Sequence, residues 1–283
     1  MIKLLVLDFD GTMTDAEAEG APYRTGVLED VALLTGLTLT DVEARAQTIE
    51  AQINAAPHDH GWVFGGRIVA PASVDPYLRI MPVARRIFDD VEAFMDPADR
   101  ARLLEGLLYK YNYRKTATAF APHARETLLA MTGRPVFVVT NSHQDAVQGK
   151  IRSLGGGADG GPLAWLVARV FGSARKFVLD DGFDAVAESM ALPGLERPVL
   201  LRRRDYFSVL DGLRSDAGCS WDEVAVCGDI FELDLALPFA LGARVGLCVN
   251  DFTPRWERDF LTDHPRGRLL TGVDEIPAFC GWA

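Results

Sequence analysis

Short apolar runs separated by much longer segments give this chain its pattern. Four such runs, rich in β-branched residues, lie at 3–7, 135–139, 224–227 and 244–248. Polar or glycine-containing sequence follows each run, which is typical of strands buried on both faces of a parallel sheet. Between them, residues 122–133 and 205–218 carry apolar side chains at helical spacing. The alternation predicts an α/β fold whose ligands bind at the carboxyl ends of the strands.

A long segment between the first two strands departs from this alternation. Apolar residues recur there at spacings of three and four, which predicts helices, in the stretches 26–36, 40–54, 83–95 and 97–111. Because one strand precedes the segment and the next follows it, we expect an inserted, mainly helical domain at 16–116. The α/β core domain then comprises residues 1–15 and 117–283.

Composition narrows the class of protein. The chain has 283 residues, of which 48% are hydrophobic, and it carries 40 acidic against 29 basic residues, for a formal net charge of -11. This acidic surplus argues against a nucleic-acid polymer or a membrane surface as partner, whereas a small divalent cation suits it. The four cysteines form no CxxC pair, so neither a zinc site nor a disulfide framework is indicated.

The N-terminus does not have the pattern of a targeting segment. The opening "MIKLLVLDFD" has too short an apolar run for a signal peptide and then meets acidic residues. No apolar stretch approaches the roughly 20 residues needed to cross a bilayer. We therefore expect a cytoplasmic protein.

Carboxylates and hydroxyls follow the predicted strands. The first strand leads into "DFDGT", the second into Thr140 and Asn141, and the third into Asp229, with Asp234 five residues later. In a parallel sheet these strand ends meet at one edge. Several carboxylates in one crevice repel each other, and a hard cation bound through oxygen, usually Mg²⁺, stabilises such a group. The glycine after Asp10 allows a turn that brings that carboxylate toward the same place.

These motifs resemble a known family. "DFDGTMTD", "VVTNS" and "VCGDIFELD" look like the first, second and fourth motifs of the haloacid dehalogenase (HAD) superfamily, in the phosphatase branch with its DxDGT signature. The motifs stand in the right order at predicted strand ends and cover the core parts of the chain. The resemblance implies a Rossmann-like parallel sheet core, and the inserted helical segment falls at the C1 cap position of that family.

The resemblance also implies roles for individual residues. Asp8 would attack phosphorus to form an aspartyl phosphate, while Asp10 would protonate the leaving oxygen and then activate water. Thr140, the Asn141 amide and the turn at Gly11 would bind phosphate. The implied Mg²⁺ ligands are Asp8, the backbone carbonyl of Asp10, Asp229 and Asp234, the last either as a ligand or as an outer acceptor.

A cation between the second and fourth motifs completes the family pattern, and two places compete for it. "SARKF" offers Lys176 and resembles a segment of the cytosolic purine 5'-nucleotidases, whereas "LLRRRDYF" offers Arg202, Arg203 or Arg204. We favour Lys176, because a compact ammonium suits a bridge between phosphate and carboxylate and three adjacent arginines are easily explained as a solvated turn.

Several other polar residues have simpler explanations. Asp234 is nearly as well explained as a charge at a helix N-terminus, and Glu232 is expected to be only that. His58 and His60, in a proline-containing loop, are expected to be exposed rather than metal ligands.

The sequence therefore predicts a Mg²⁺-dependent HAD phosphatase that hydrolyses a small phosphorylated metabolite. A phosphomutase or phosphotransferase would keep every motif, and a non-catalytic phosphate-binding protein on this fold is a further alternative. A dehalogenase would need neither a metal nor the carboxylate of Asp10. The substrate and the oligomeric state do not follow from the sequence.

Overall fold

The computed structural model describes residues 1–56, 58–112 and 118–282. In these residues the strands are β1 Leu4–Leu7, β2 Gly61–Phe64, β3 Arg67–Pro71, β4 Val136–Val139, β5 Val170–Phe171, β6 Ser189–Met190, β7 Val199–Leu200, β8 Val224–Gly228, β9 Arg244–Cys248 and β10 Gly267–Leu270. The helices are α1 Ala16–Thr35, α2 Leu39–Ala55, α3 Pro76–Asp90, α4 Pro97–Asn112, α5 Ala124–Ala130, α6 Gln144–Gly155, α7 Ala164–Val167, α8 Arg204–Asp216, α9 Ala236–Leu241, α10 Arg255–Thr262 and α11 Ile276–Phe279. None of these helices is long and apolar enough to cross a membrane.

A six-stranded sheet in the order β10-β9-β8-β1-β4-β5 forms the centre of the fold. All its neighbouring strands run parallel, and β1 lies between β8 and β4. The predicted α/β class with a parallel sheet is confirmed. Because β1, β4 and β8 are adjacent and parallel, the residues that follow them emerge side by side at one edge.

The first strand shows how the sequence specifies a doubly covered sheet. Leu4 and Val6 pack in one apolar cluster, and Leu5 and Leu7 pack in a second cluster on the opposite face. All four side chains are at most 1% exposed. Side chains alternate across a strand, so a continuous apolar run feeds two cores at once.

The chain divides into two compact units. The sheet unit comprises Met1–Asp15, Val63–Ala70 and Phe120–Ala283, and the helical unit comprises Ala16–Trp62 and Pro71–Ala119. The second predicted domain boundary, between residues 116 and 117, lies outside the described residues.

Helices α1 to α4 make up the helical unit and enclose an apolar cluster of their own. The first helix begins ten residues earlier than its apolar pattern predicts, and it contains Pro22 in its second turn. The third helix ends at Asp90, short of the predicted residue 95, and it begins where Asp75 accepts hydrogen bonds from the amides of Tyr77 and Leu78. Such a side-chain cap satisfies amides that the first helical turn leaves unpaired.

A β-hairpin of β2 and β3 interrupts the helical segment, and the sequence prediction missed it. The two strands form a separate sheet joined by Gly65 and Gly66, both with positive φ. Most of this hairpin, Val63–Ala70, groups with the sheet unit, although the flanking residues on both sides belong to the helical unit. Strands of four or five residues contain too few alternations to stand out from the helical pattern around them.

Candidate active site

Asp8 directly continues β1 into the edge where the strand ends meet. Its amide donates to the carbonyl of Cys227 over 2.8 Å, which extends the ladder with β8 by one residue. The residue is 8% exposed. The chain then turns at Gly11, whose φ is +85° and whose amide donates to the hydroxyl of Thr14. The strand thus holds the Asp8 backbone while the turn carries the following residues away.

Lys176 reaches the same place from an irregular segment beyond β5. Its ammonium lies 2.6 Å from Oδ1 of Asp8 and 2.8 Å from Oδ1 of Asp234, and the residue is only 1% exposed. The ammonium also stands 5.4 Å from the ring centroid of Tyr206. A buried ammonium with two carboxylates and an aromatic face is well compensated. Of the two competing cations, the structure brings Lys176 to Asp8.

Three carboxylates gather beside this ammonium. Asp8, Asp229 and Asp234 are all buried, and each offers an oxygen within 4.8 Å of the others. The hydroxyl of Thr12 donates to Asp229 over 3.3 Å. Both oxygens of Asp234 are engaged, one by Lys176 and the other by the amide of Ile230. Asp234 thus binds both the Lys176 ammonium and the backbone, and all three carboxylates offer oxygens of the kind that hard cations prefer.

Two glycines permit this close packing of carboxylates. A Cβ at Gly11 would lie 2.3 Å from Oδ2 of Asp229, and a Cβ at Gly228 would lie 2.5 Å from the Cβ of Asp234. Neither distance is compatible with a real side chain. The glycine in each of the first and fourth motifs is thus needed for the approach of an aspartate.

Thr140 and Asn141 follow β4 beside β1. The side-chain oxygen of Asn141 accepts the backbone amide of Lys176 at 2.7 Å, which directs the NH₂ group of Asn141 as a donor elsewhere. The hydroxyl oxygen of Thr140 accepts the amide of Ser142 at 3.1 Å. These contacts tie the second motif to the segment that carries Lys176.

Asp10 has a partner that the sequence did not indicate. Oδ1 of Asp10 lies 2.6 Å from the ammonium of Lys150, on the second turn of α6, and both side chains are partly exposed. The pair spans 140 residues in sequence. Nothing in the pattern around Lys150 distinguishes it from an ordinary surface lysine of an amphipathic helix.

Burial and opposite charges act against each other in this cluster. It raises the pKa of the Asp8 carboxyl to about 8, against the opposing effect of Lys176. Burial acts to lower the pKa of Lys176, but the charges of Asp234 and Asp8 outweigh it and the pKa is raised. The pKa of Tyr206 is also raised by burial. Lys176 is therefore the permanent positive charge of the site, and a second cation would favour the ionised form of Asp8.

Similarity to known proteins agrees with this geometry. The family model for haloacid dehalogenase-like hydrolases matches residues 2–235. The chain belongs to this family. Comparison with curated proteins gave no significant match.

Solved structures with the HAD fold resemble this chain over nearly its whole length. One is described as a predicted phosphoglycolate phosphatase from Haemophilus somnus, with TM-score 0.55, 14% identity and coverage of 98% of this chain and 97% of the other. A haloacid dehalogenase-like protein of unknown function from Agrobacterium tumefaciens gives TM-score 0.54, 14% identity and coverage of 99% and 98%. The HAD hydrolase YfnB of Bacillus subtilis, bound to magnesium, gives TM-score 0.53, 14% identity and 99% coverage of both chains. At these identities the likeness supports the fold alone.

One expectation about the charged residues of this HAD hydrolase was wrong, and a second was incomplete. Arg203 does not lie in a solvated turn but is 0% exposed, whereas its neighbour Arg204 is exposed. Glu232 does lie in the first turn of a short helix, Phe231–Leu235, but it is more than a charge at a helix N-terminus, since it is 0% exposed and accepts two hydrogen bonds from Arg197. Both side chains are buried because segments distant in sequence close over them, which local spacing does not report.

Proposed function

We propose that this HAD hydrolase is a Mg²⁺-dependent phosphatase that hydrolyses a small phosphomonoester through an aspartyl phosphate on Asp8. The observation that carries the proposal is the buried ammonium of Lys176, 2.6 Å from Asp8, beside the carboxylates of Asp229 and Asp234. An anionic nucleophile attacks an anionic phosphate only where positive charge offsets their repulsion.

The donor set fits Mg²⁺. Lys176 pairs with two of the three buried carboxylates, Asp8 and Asp234, and the oxygens of all three lie close enough together to share an ion. Asp8, Asp229 and the backbone carbonyl of Asp10 would hold it, with Asp234 as an outer acceptor through Lys176. When bound, the metal would supply charge that stabilises the phosphoryl group in the transition state.

Each residue of the site then has its own role in the reaction. A carboxylate oxygen of Asp8 attacks phosphorus, and the bond between phosphorus and the leaving oxygen breaks. Lys176 lies against Asp8 and would neutralise charge on the transferring phosphoryl group, while the Asn141 NH₂ group, the Thr140 hydroxyl and the Gly11 turn would bind its oxygens. Water then attacks phosphorus, releasing inorganic phosphate and restoring the Asp8 carboxylate.

Asp10 would serve as the general acid and then as the general base. As the acid it protonates the leaving oxygen, and as the base it takes a proton from the attacking water. The ion pair with Lys150 holds its carboxylate 2.6 Å from an ammonium. To protonate the leaving oxygen, Asp10 would have to leave this ion pair and take up a proton first. Asp10 and Asp229 together favour phosphoryl transfer over dehalogenation, which needs neither.

Metal removal tests the proposal. EDTA should abolish release of inorganic phosphate, and Mg²⁺ in excess of the chelator should restore it, because two buried carboxylates of the site would lose their counter-ion. The assay is a screen of small phosphate esters, phosphoglycolate and nucleoside monophosphates among them, with phosphate release as the readout. EDTA already saturated with Mg²⁺ serves as the control. Undiminished turnover in free EDTA would contradict the metal assignment, and phosphorylated product without phosphate release would indicate a phosphotransferase.

A glycine substitution tests the ligand role of Asp229 without an activity assay. Gly11→Ala places a Cβ where Oδ2 of Asp229 now lies, so the affinity for Mg²⁺ should fall by about tenfold or more, measured by titration calorimetry. Gly133→Ala is the matched control, since Gly133 also has positive φ but a Cβ there would meet no atom within 4 Å. Both variants carry the same kind of backbone strain, about 1–2 kcal/mol. Equal Mg²⁺ affinity in the two would exclude Asp229 as a ligand.

A further inference from the structure

Arg203 is the largest side chain that the sheet unit buries completely, and its contacts are unusual. Within the described residues, its guanidinium donates to three backbone carbonyls: Leu200 at 3.1 Å, Val69 at 2.9 Å and Lys176. The carboxylates of Glu232 and Asp234 act on the Arg203 guanidinium through their charge. Burial lowers the pKa of Arg203 to about 10, so it keeps its charge at neutral pH.

These three carbonyls belong to three separate parts of the chain. Val69 lies in the hairpin strand β3, Leu200 in the short strand β7, and Lys176 in the segment after β5. The contacts to Leu200, Lys176 and Val69 span 3, 27 and 134 residues in sequence. The guanidinium presents its donors in a rigid planar fork, so one side chain can fix three segments in one arrangement.

The segment that carries Lys176 needs such support. Residues 172–188 form no helix or strand, and two of them, Ser173 and Arg175, have positive φ. The amides of Ser173 and Ala174 still donate to the carbonyls of Ser142 and Thr140 beyond β4, but no ladder of this kind extends through Lys176. Instead, the peptide amide of Lys176 donates to Asn141 and its carbonyl accepts from Arg203, so both sides of the residue are anchored.

The hairpin adds contacts to the same segment. Phe64 meets Phe177 edge-on with ring centroids 5.6 Å apart, and Arg67 pairs with Asp181 at 2.9 Å. Arg203, which binds the carbonyls of both Val69 and Lys176, links the hairpin to the segment a third time. The hairpin therefore helps to hold the segment that carries Lys176.

We propose that Arg203 is a positioning residue, which holds the backbone of Lys176 so that its ammonium stays against Asp8. The proposal rests on the role given to Lys176 under the proposed function. An error of about 1 Å in a catalytic group can cost about 10²-fold in rate. Loss of the three anchors therefore reduces turnover through Lys176 although Arg203 lies outside the reacting groups.

The test compares Arg203→Gln with Arg204→Gln in the full-length protein. Arg204 stands next in sequence, is exposed and pairs with Asp180, so its loss should leave turnover within about twofold. Arg203→Gln should lower kcat by about 10 to 10²-fold with little change in KM. Arg203→Lys keeps the charge but not the planar fork of donors, so it should recover only part of the lost kcat. Unchanged kcat in folded Arg203→Gln would overturn the proposal.

A double-mutant cycle separates positioning from a general loss of stability. In a Lys176→Met background, Arg203→Gln should lower the melting temperature as before but cause no further loss of turnover, because the group it positions is already absent. Equal losses of turnover in both backgrounds would refute the proposal. If Arg203→Gln does not fold, Arg203→Lys takes its place in the same cycle.

A crystal structure of Arg203→Gln gives a readout independent of catalysis. The ammonium of Lys176 should no longer lie within hydrogen-bond distance of both Asp8 and Asp234. A Lys176 that keeps both contacts would overturn the positioning role even if turnover falls. Should the wild-type protein release phosphate from no ester, the proposed function fails, and this structure alone decides the role of Arg203.

Discussion

Asp8→Asn should abolish turnover and leave no covalent phosphoenzyme. The side chain would keep its shape and its place at the end of β1, but the amide cannot act as the nucleophile. The loss in kcat should be about 10⁴-fold or more, the scale seen when a nucleophile is removed. A beryllium fluoride adduct, which mimics a phosphoryl group, should form on Asp8 of the wild-type protein and be absent from the variant.

The matched control for this prediction is Asp10→Asn. It removes a carboxylate two positions away without touching the proposed nucleophile, so the beryllium fluoride adduct on Asp8 should still form. Turnover should fall, because the leaving oxygen and the attacking water lose their proton carrier, by about 10² to 10⁴-fold. An adduct on Asp10, or one that survives in Asp8→Asn, would reverse the two roles.

Lys176→Ala should nearly silence the enzyme and also destabilise the fold. The charge that Lys176 offers matters most as negative charge gathers on the phosphoryl group, so the loss should appear mainly in kcat, by about 10²-fold or more. Removal of one partner from a buried ion pair costs about 3–5 kcal/mol, because Asp8 and Asp234 then stay buried without their cation. Kinetics at saturating substrate and chemical denaturation measure the two effects.

Two comparisons make this second result interpretable. Lys3, like Lys176, pairs with a carboxylate of the sheet unit, that of Glu223, but the Lys3 side chain is 56% exposed. Lys3→Ala should therefore leave turnover unchanged. Lys176→Met preserves the apolar stem and should lose as much kcat as the alanine variant. Normal turnover in a folded Lys176 variant would show that Lys176 has no catalytic role. The resemblance of its segment to the nucleotidases would then carry no functional meaning.

The sequence by itself determined four of the six strands of the sheet, β1, β4, β8 and β9, and most of the polar residues at its edge. A run such as "KLLVL" is apolar at nearly every position, and a strand with both faces apolar is stable only between two cores. The acidic and hydroxyl residues follow these runs directly. Because the strands are parallel, Asp8, Thr140 and Asp229 then emerge at the same edge of the sheet. Local pattern and chain order were sufficient because each step depends on neighbours in sequence.

Only the tertiary structure decided which of the candidate cations lies against Asp8. Lys176 and the arginines near residue 203 all lie between the second and fourth motifs, and spacing does not rank them. The ammonium of Lys176 meets Asp8 across 168 residues, through a segment without regular structure. Such a segment has no periodicity from which the direction of a side chain could be predicted.

Burial of charge was likewise decided only in three dimensions. Arg203 and Glu232 have the local surroundings of surface residues, yet both are 0% exposed. Arg203 is covered because the β2–β3 hairpin and the Lys176 segment meet over it, and Glu232 because Arg197 pairs with it. The ion pair of Asp10 with Lys150 has the same origin. A buried charge is stable only with its partners, and those partners come from distant parts of the chain that the fold alone brings together.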